Sequence, residues 1–203
     1  STLINLITRY YDVTKGSVKV DGVDVRDMTQ KELRDKLGYV PQKGVLFSGT
    51  IDSNIRYGKP EITDAQVKEA AEVAQATEFI DTKPEKYKSP VSQGGTNVSG
   101  GQKQRLSIAR AIAKDPEIFI FDDSFSALDF KTDSQLRKAL KEYTKDATTV
   151  IVAQRISTIL GADQIIVLDE GHMAGIGTHK ELMANCEVYQ QIARSQLSEE
   201  ELA

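Results

Sequence analysis

Two adjacent carboxylates, Asp122 and Asp123, follow directly on the apolar run Ile118–Phe121. A short apolar run of this kind is typical of a strand that is buried on both faces of a parallel sheet. Open α/β sheets bind their ligands beyond the carboxyl ends of such strands, where these two side chains would stand. Two acidic residues after a strand can equally belong to an ordinary loop. On their own, they therefore mark only a candidate ligand-binding position.

A second candidate position is Ser99-Gly100-Gly101, which precedes a predicted amphipathic helix. Free backbone N–H groups and the helix dipole at the start of a helix favour a bound phosphate. The same three residues are also a common way to begin a helix without any ligand. The helix is predicted because apolar residues recur on one face while basic residues point away from it. The apolar positions are Leu106, Ile108, Ala109, Ile112 and Ala113, and the basic ones are Lys103, Arg105 and Arg110.

The composition of the 203 residues is that of a globular protein, with 39% hydrophobic and 28% charged residues. A formal net charge of −4 and a pI near 5.3 argue against nucleic acid as a partner, because such binding needs a concentrated basic face. The single cysteine, Cys186, cannot form a disulfide within the chain, which fits a reducing, cytoplasmic setting. No apolar run is long enough to span a bilayer. We therefore expect any membrane association to come from a partner or from polypeptide outside these residues.

The stretch from Ser92 to Asp129 resembles the ATP-binding cassette (ABC) ATPases in the order and spacing of its motifs. The sequence VSGGQ at Val98–Gln102 is similar to the signature motif of that family. The strand IFIFDD is similar to the Walker B motif, and SALD at Ser126–Asp129 is similar to the D-loop. Gln42 stands where a predicted strand through Tyr39-Val40 ends at Pro41-Gln42, and it matches the glutamine of the Q-loop.

The first two residues, Ser1 and Thr2, match the end of the Walker A loop, whose last residues in the family read G-K-S-T. The resemblance implies that Ser1 provides the hydroxyl that holds Mg²⁺. The phosphate-binding glycines, the Walker A lysine and the strand before them would precede Ser1. We therefore expect these residues to be part of a longer polypeptide. The isolated chain is expected to bind ATP weakly, because the Walker A backbone and lysine would be missing. It is also expected to be poorly soluble or oligomeric, because a strand would be missing from the middle of its sheet.

The resemblance implies an ATP and Mg²⁺ site that is assembled from several motifs. Ligands for Mg²⁺ would come from Ser1, Gln42 and Asp122. Hydrolysis would depend on Asp123, Gln154 and Gln42. Nucleotide contacts are implied for Ser1, Thr2, Gln42, Ser99, Gly100, Gly101, Gln102, Asp122 and Asp129. Because two cassettes of this family pair head to tail, the signature residues would serve the nucleotide of a second nucleotide-binding domain.

Two residues at the implied catalytic centre depart from the family pattern. Asp123 stands where active members usually have glutamate, and Gln154 stands where they usually have histidine. Aspartate is one methylene shorter, and a carboxylate misplaced by about 1 Å can cost on the order of a hundredfold in rate. Glutamine cannot become cationic as histidine can. We therefore interpret the chain as the weakened half of a heterodimeric exporter, and the alternative is that both changes are compensated elsewhere.

The resemblance predicts an α/β fold: a RecA-like P-loop NTPase core with a mostly parallel sheet and an inserted α-helical subdomain. Residues 1–46 and 116–195 would form the core, residues 47–115 the helical subdomain, and residues 196–203 a mobile tail. The helical segment includes the signature motif and shows no convincing strand. Within it, Leu46–Ile55 is close to the exporter pattern, in which this region faces the coupling helices of a transmembrane domain.

Three functions remain open on the sequence alone, beside the alternative that the isolated 203 residues have no activity because their nucleotide loop is missing. The first is the ATPase motor of a multidrug-type exporter at the cytoplasmic face of the membrane, in which a transmembrane domain handles the substrate. The second is a regulatory half that holds ATP without hydrolysing it. The third is a soluble cassette ATPase that acts on DNA or ribosomes, which the acidic pI and the exporter-like segment Leu46–Ile55 disfavour.

Overall fold

The computed structural model describes residues 1–198, and the chain divides into two compact units. The first unit comprises Ser1–Val152, and the second begins at Ala153. In the part of the chain that the structure describes, no helix combines the length and the apolar character that a membrane crossing requires.

The described strands and helices are short, and their bounds in chain order are as follows. The strands are β1 (Lys19–Val20), β2 (Val23–Asp24), β3 (Leu37–Val40), β4 (Gly49–Thr50), β5 (Pro90–Val91), β6 (Ile118–Asp122), β7 (Thr148–Val152), β8 (Ile165–Asp169) and β9 (His172–Gly177). The α-helices are α1 (Thr2–Ile7), α2 (Gln30–Asp35), α3 (Ile51–Ile55), α4 (Asp64–Val73), α5 (Thr77–Asp81), α6 (Gly100–Ala113), α7 (Phe130–Tyr143), α8 (His179–Asn185) and α9 (Glu187–Gln196).

A parallel three-stranded sheet in the order β3-β6-β7 lies at the centre of the first unit. Its register places Val40 beside Phe121, and Phe121 beside Ile151. The three strands run in the same direction, so their carboxyl ends meet at one edge of the sheet. This arrangement confirms the predicted α/β class and the predicted position of Asp122 at the end of a buried strand.

The central strand β6 is buried on both faces, which explains its unbroken apolar sequence. Phe119 and Phe121 belong to a core with residues of α4, α6 and α7. Ile120 belongs to a second core, which includes Ile4 of α1 and Leu33 of α2. Full burial of one such side chain contributes about 1.5–3 kcal/mol. The two cores together hold β6, and with it the carboxylates at its end.

Residues 47–115 contain helices α3 to α6, and three of these helices begin with a capping box. The capping residues are Thr50 of α3, Thr63 of α4 and Ser99 of α6. The sequence shows no convincing strand in this segment, whereas the structure has an antiparallel pair, β4-β5. Two-residue strands carry no readable alternation, and Pro90 itself disfavours a strand assignment. The subdomain boundaries stay a prediction.

The second unit is built on the antiparallel hairpin β8-β9, with α8 and α9 packed beside it. Its core includes Ile165, Val167, Leu182, Tyr189 and Ala193. The sequence predicts β8 as a further strand, and the structure pairs it with β9. Alternate residues of β8, Ile166 and Leu168, are exposed although they are apolar.

The predicted mobile tail comprises residues 196–203. Its first residue, Gln196, is the last residue of α9. Residues 199–203 of the tail lie outside the described residues.

Candidate functional site

The predicted Q-loop glutamine and the second carboxylate are in direct contact. Gln42 follows β3, and Asp123 follows β6, which is the neighbouring strand. The side-chain Nε2 of Gln42 donates a hydrogen bond of 3.0 Å to Oδ2 of Asp123. The two residues are 81 positions apart in the chain. The parallel register of the sheet therefore brings two predicted site residues together at its carboxyl edge.

The backbone around Asp123 is held by the strands on either side of β6. Its N–H donates to the carbonyl of Val152 at 2.8 Å, and its carbonyl accepts from Ser126 Oγ at 3.0 Å. Next to it, the fully buried Ser124 donates its hydroxyl to the carbonyl of Val40 at 2.8 Å. Asp123 has a φ of 47°, a left-handed conformation that costs on the order of 1 kcal/mol outside glycine. These bonds fix the direction in which its side chain leaves the sheet.

Asp122 is 4% exposed and lies close to the first residue of the chain. The backbone nitrogen of Ser1 is 3.6 Å from Oδ1 of Asp122. Ser1 stands at the N-cap of α1, but its side chain makes no capping hydrogen bond. The structure thus brings the predicted Walker A serine beside the predicted Walker B aspartate, while Thr2 is exposed in the first turn of α1.

Tyr39 is a neighbour of Asp122 that the sequence does not single out. It is half-buried on β3, and its ring makes an edge-to-face contact with Tyr10 at 6.3 Å between centroids. Burial, followed by the negative charge of Asp122, raises the pKa of Tyr39 to about 12. The hydroxyl therefore keeps its proton at neutral pH and stands next to the Asp122 carboxylate as a neutral group.

The side chains that the sequence predicts as Mg²⁺ ligands fit the chemistry of that ion. Asp122 supplies a carboxylate, Ser1 a hydroxyl and Gln42 an amide, and these are hard oxygen ligands. Among the described residues, no cluster of three or more His, Cys, Asp or Glu side chains is suited to a metal ion. Mg²⁺ in nucleotide sites is usually held by one or two carboxylates together with phosphate oxygens and water. A single buried carboxylate is therefore compatible with a phosphate-bound Mg²⁺.

The predicted signature residues form the first turn of α6. Ser99 Oγ accepts from the N–H of Gln102, and Gln102 Oε1 accepts from the N–H of Ser99, both at 3.2 Å. Gly100 is exposed, and the first turn has no acidic residue. The turn therefore presents backbone N–H groups and the positive end of the helix dipole, without a negative side chain that would repel a phosphate.

Gln104 connects this helix to the residues on either side of Gln42. Its Oε1 accepts from the N–H of Gly44 at 2.9 Å, and its Nε2 donates to the carbonyl of Pro41 at 3.1 Å. Gln104 is 1% exposed. The sequence motifs do not include Gln104, although one signal exists: it falls on the same helical face as the buried Ile108. A polar residue in an apolar stripe indicates a side chain that makes hydrogen bonds in the protein interior.

The remaining predicted site residues, Asp129 and Gln154, lie at element ends. Asp129 is the N-cap of α7, where its Oδ1 accepts from the N–H of Thr132 at 3.0 Å. The backbone hydrogen bond from Thr132 is the main cause of the lowered pKa of Asp129. Gln154 is exposed, belongs to the second unit, and accepts at its carbonyl from Gln196 Nε2 at 2.9 Å. The nucleotide and catalytic roles of both residues stay predictions.

An exposed aromatic pair lies in and near the exporter-like segment. Phe47 and Tyr57 stack with their ring centroids 4.1 Å apart. The guanidinium of Arg110 lies 5.3 Å and 5.4 Å from these two centroids. Arg110 also donates to the carbonyls of Val45 and Asn54, and burial lowers its pKa to about 10. The half-buried Arg110 thus supports a surface of two aromatic rings, of which 39% and 55% are exposed.

Comparison with known proteins gives matches over most of the chain. The model of a family described as ABC transporter matches residues 1–126. An uncharacterized ABC transporter ATP-binding protein of Mycobacterium tuberculosis is 48% identical over 199 residues, which cover 97% of this chain and 34% of that protein. A relative in Staphylococcus aureus, which is named as a multidrug export ATP-binding/permease protein, is 47% identical over 192 residues, covering 95% and 33%.

A solved structure with the same fold is that of a bacterial Atm1-family ABC exporter with ATP bound. The TM-score is 0.93 at 39% sequence identity, and the match covers 98% of this chain and 35% of that one. The chain spans about a third of the length of these relatives.

Proposed function

This chain belongs to the ABC transporter family, and we propose that it is the ATP-binding and ATP-hydrolysing motor domain of an exporter. The observation that carries the proposal is the meeting of residues from three motifs at one edge of the sheet. Gln42 contacts Asp123, and Ser1 lies beside Asp122. The similarity to a multidrug export protein and to an Atm1-family exporter favours export over the soluble cassette ATPases.

The nucleotide would be held at this edge together with Mg²⁺. We assign Asp122, Ser1 and Gln42 as the groups that hold the ion, because their oxygens fit it and two of them already lie close together. When bound, Mg²⁺ neutralises part of the negative charge on the terminal phosphates. The Tyr39 hydroxyl beside Asp122 is neutral, so it does not offset the negative charge of that carboxylate.

Hydrolysis at this chain's own site would depend on Asp123 and Gln154. The Asp123 carboxylate orients or deprotonates the attacking water, and the Gln42 amide holds that carboxylate in place. Because the aspartate side chain is short, the carboxylate sits about 1 Å or more from the position that glutamate would reach. Gln154 can hydrogen-bond a phosphate but cannot become cationic. We infer that this site binds ATP and hydrolyses it slowly.

The signature turn would serve the nucleotide of a second, paired domain. Ser99, Gly100, Gly101 and Gln102 lie at the start of α6, and the turn carries positive dipole charge without an acidic side chain. A chain with an intact signature turn and a weakened catalytic carboxylate fits the degenerate half of a heterodimer. The partner domain would then supply the competent glutamate and histidine.

The Phe47–Tyr57 pair would face the coupling helices of a transmembrane domain, and the chain would therefore work at the cytoplasmic face of a membrane. Two exposed, stacked rings beside a half-buried arginine form an apolar contact surface. The full-length relatives are about three times as long as this chain, which leaves room for such a domain.

The test is ATP turnover of the full-length polypeptide, assembled with its second half in vesicles. We expect turnover that needs both halves and that falls when the partner's catalytic carboxylate is removed. Vigorous turnover by this half without a partner would contradict the heterodimer. Failure of the assembly to bind ATP would contradict the motor function altogether.

A regulatory half that holds ATP without hydrolysing it is the second candidate. It is favoured by the short Asp123 side chain, which is already engaged by Gln42. A single-turnover assay with the partner's site disabled separates the two candidates. Slow but measurable cleavage at this chain's site supports the motor, and retention of intact ATP supports the regulatory half.

A further inference from the structure

We propose that Gln104 is a positioning residue that clamps the Gln42 loop, residues 41–44, onto the signature helix α6. Its side-chain amide bonds the carbonyl of Pro41 before Gln42 and the N–H of Gly44 after it. One side chain thus bonds the loop on both sides of Gln42, the residue that contacts Asp123. This inference rests on the proposed function, because it assigns a task to Gln104 in the same nucleotide site.

The amide that makes the two hydrogen bonds is buried, since Gln104 is 1% exposed, and the residues that it bonds, Pro41 and Gly44, are half-buried. Removing the amide would leave both backbone groups without this partner. The bonded groups belong to the backbone, and they are 63 and 60 residues away in the chain. A buried amide that satisfies one backbone acceptor and one backbone donor fixes the loop in both position and direction.

The loop also touches the backbone of α6 directly. A Cβ atom added at Gly44 would come within 2.9 Å of the carbonyl carbon and oxygen of Lys103 and of Ser107 Oγ. Only glycine permits so close an approach of loop and helix. The loop is therefore held against α6 by contact at Gly44 as well as by the amide of Gln104. We expect the loop and the helix to move together.

Gln104 connects residues that are proposed to contact two different nucleotides. Ser99, proposed for the partner's nucleotide, begins the helix on which Gln104 stands five residues later, or about 7.5 Å along the axis. Gln42, proposed for this chain's own nucleotide, sits in the clamped loop and contacts Asp123. A shift of α6 on nucleotide binding at its first turn would therefore displace Gln42 relative to Asp123.

The test is a double-mutant cycle in the full-length assembly, with the partner's catalytic carboxylate removed. Single-turnover ATP cleavage at this chain's site is measured for wild type, Gln104→Met, Gln42→Ala and the double variant. If Gln104 acts through Gln42, Gln104→Met slows cleavage about tenfold, and the double variant is no slower than Gln42→Ala alone. The affinity for ATP should change less than twofold in Gln104→Met, since Gln104 is not among the proposed nucleotide contacts.

The matched control is Ser107→Ala. Ser107 is also buried on α6 next to Gly44, but its hydroxyl has no hydrogen-bond partner among the described residues. We expect Ser107→Ala to cleave ATP at the wild-type rate. If Gln104→Met does not fold, Gln104→Glu, which keeps the acceptor for Gly44, replaces it in the same cycle.

Three results would overturn the inference. The first is a wild-type rate in the Gln104 variant, and the second is a double variant whose loss equals the product of the two single losses. The third is an equal loss in Ser107→Ala, which would indicate a general effect on packing. A wild-type assembly that binds no ATP would instead overturn the proposed function, and the inference with it.

Discussion

Gln42 Nε2 lies 3.0 Å from Oδ2 of Asp123, in a hydrogen bond between residues that follow two neighbouring parallel strands. The contact combines a neutral donor with a carboxylate. A neutral amide holds the carboxylate in place without changing the net charge of the site. The position of Asp123 therefore depends on the loop after β3 as well as on β6, and the length of its side chain decides what the carboxylate can reach.

Lengthening this carboxylate should raise the rate. We expect Asp123→Glu to increase single-turnover cleavage at this chain's site by about tenfold or more, because the added methylene restores roughly 1 Å of reach. Gln154→His should add to the gain, since histidine can carry the positive charge that glutamine cannot. The measurement is ATP cleavage with the partner's site disabled. An unchanged rate in the Asp123→Glu, Gln154→His double variant would show that these two residues do not limit the site.

Damage to the signature turn should cost the assembled pair more than damage to Asp123. Ser99→Ala removes the hydroxyl proposed for the partner's nucleotide, at the site where most turnover is expected. It also removes a helix cap, which by itself costs about 1 kcal/mol of stability. Steady-state ATP turnover of the pair is therefore expected to fall further in Ser99→Ala than in Asp123→Ala.

The control for the lost cap is Thr63→Ala. Thr63 forms the same reciprocal capping box at α4, with Gln66, and lies outside the proposed nucleotide contacts. It should lose a similar amount of stability while turnover stays at the wild-type level. Equal turnover in Ser99→Ala and Thr63→Ala would contradict a nucleotide role for Ser99.

The sequence predicts what depends on local pattern, and it misses what depends on contacts between distant residues. The strand β6 at Ile118–Asp122 and the start of α6 after Ser99 follow from an apolar run and a capping residue, and the structure confirms both. The bonds of Gln104 to Pro41 and Gly44 do not follow, because their formation depends on how α6 packs against a loop about 60 residues away. Periodicity predicts which face of a helix a residue lies on, but it does not predict the hydrogen-bond partners of that residue.

Local sequence pattern predicts much of the fold, but it does not predict the rate at which the catalytic residues act. The departures at Asp123 and Gln154 are visible in the sequence, but their effect on rate depends on distances to a nucleotide and a water. The contact of Gln42 with Asp123 supports a common site. The predicted weakening of hydrolysis stays a prediction that only kinetics can test.

Asn54 is expected to be a principal stabilising residue of the surface that carries Phe47. Its side chain accepts from the N–H of Phe47 and donates to the carbonyls of Phe47 and Thr50, at 2.8–3.0 Å. It also accepts from Arg110, and it is 1% exposed. Asn54→Ala leaves these buried groups without partners and should lower the free energy of unfolding by about 2–4 kcal/mol. Urea unfolding of the complete domain measures the loss.

Asn97→Ala is the matched control. Asn97 makes similar bonds to the backbone of Pro90 and to Ser92, but its side chain is exposed, so water can replace them. We expect a loss below about 1 kcal/mol for this variant. Similar losses for the two asparagines would show that burial does not decide the contribution of Asn54.

Tyr39 gives a prediction for alkaline pH. Burial and the charge of Asp122 raise its pKa to about 12 from the ordinary value of 10.0, so the folded domain keeps this proton at a pH where the unfolded chain loses it. The stability that results is fully present below pH 10, and it is lost as the pH rises through about 12. Tyr39→Phe has no such proton, so its free energy of unfolding should fall less than that of the wild type between about pH 9 and pH 11. Tyr11→Phe, which removes an exposed hydroxyl, should follow the wild type. Urea unfolding of the complete domain at both pH values makes the comparison, and identical pH dependence in wild type and Tyr39→Phe would mean that the pKa of this hydroxyl is not raised in the folded domain.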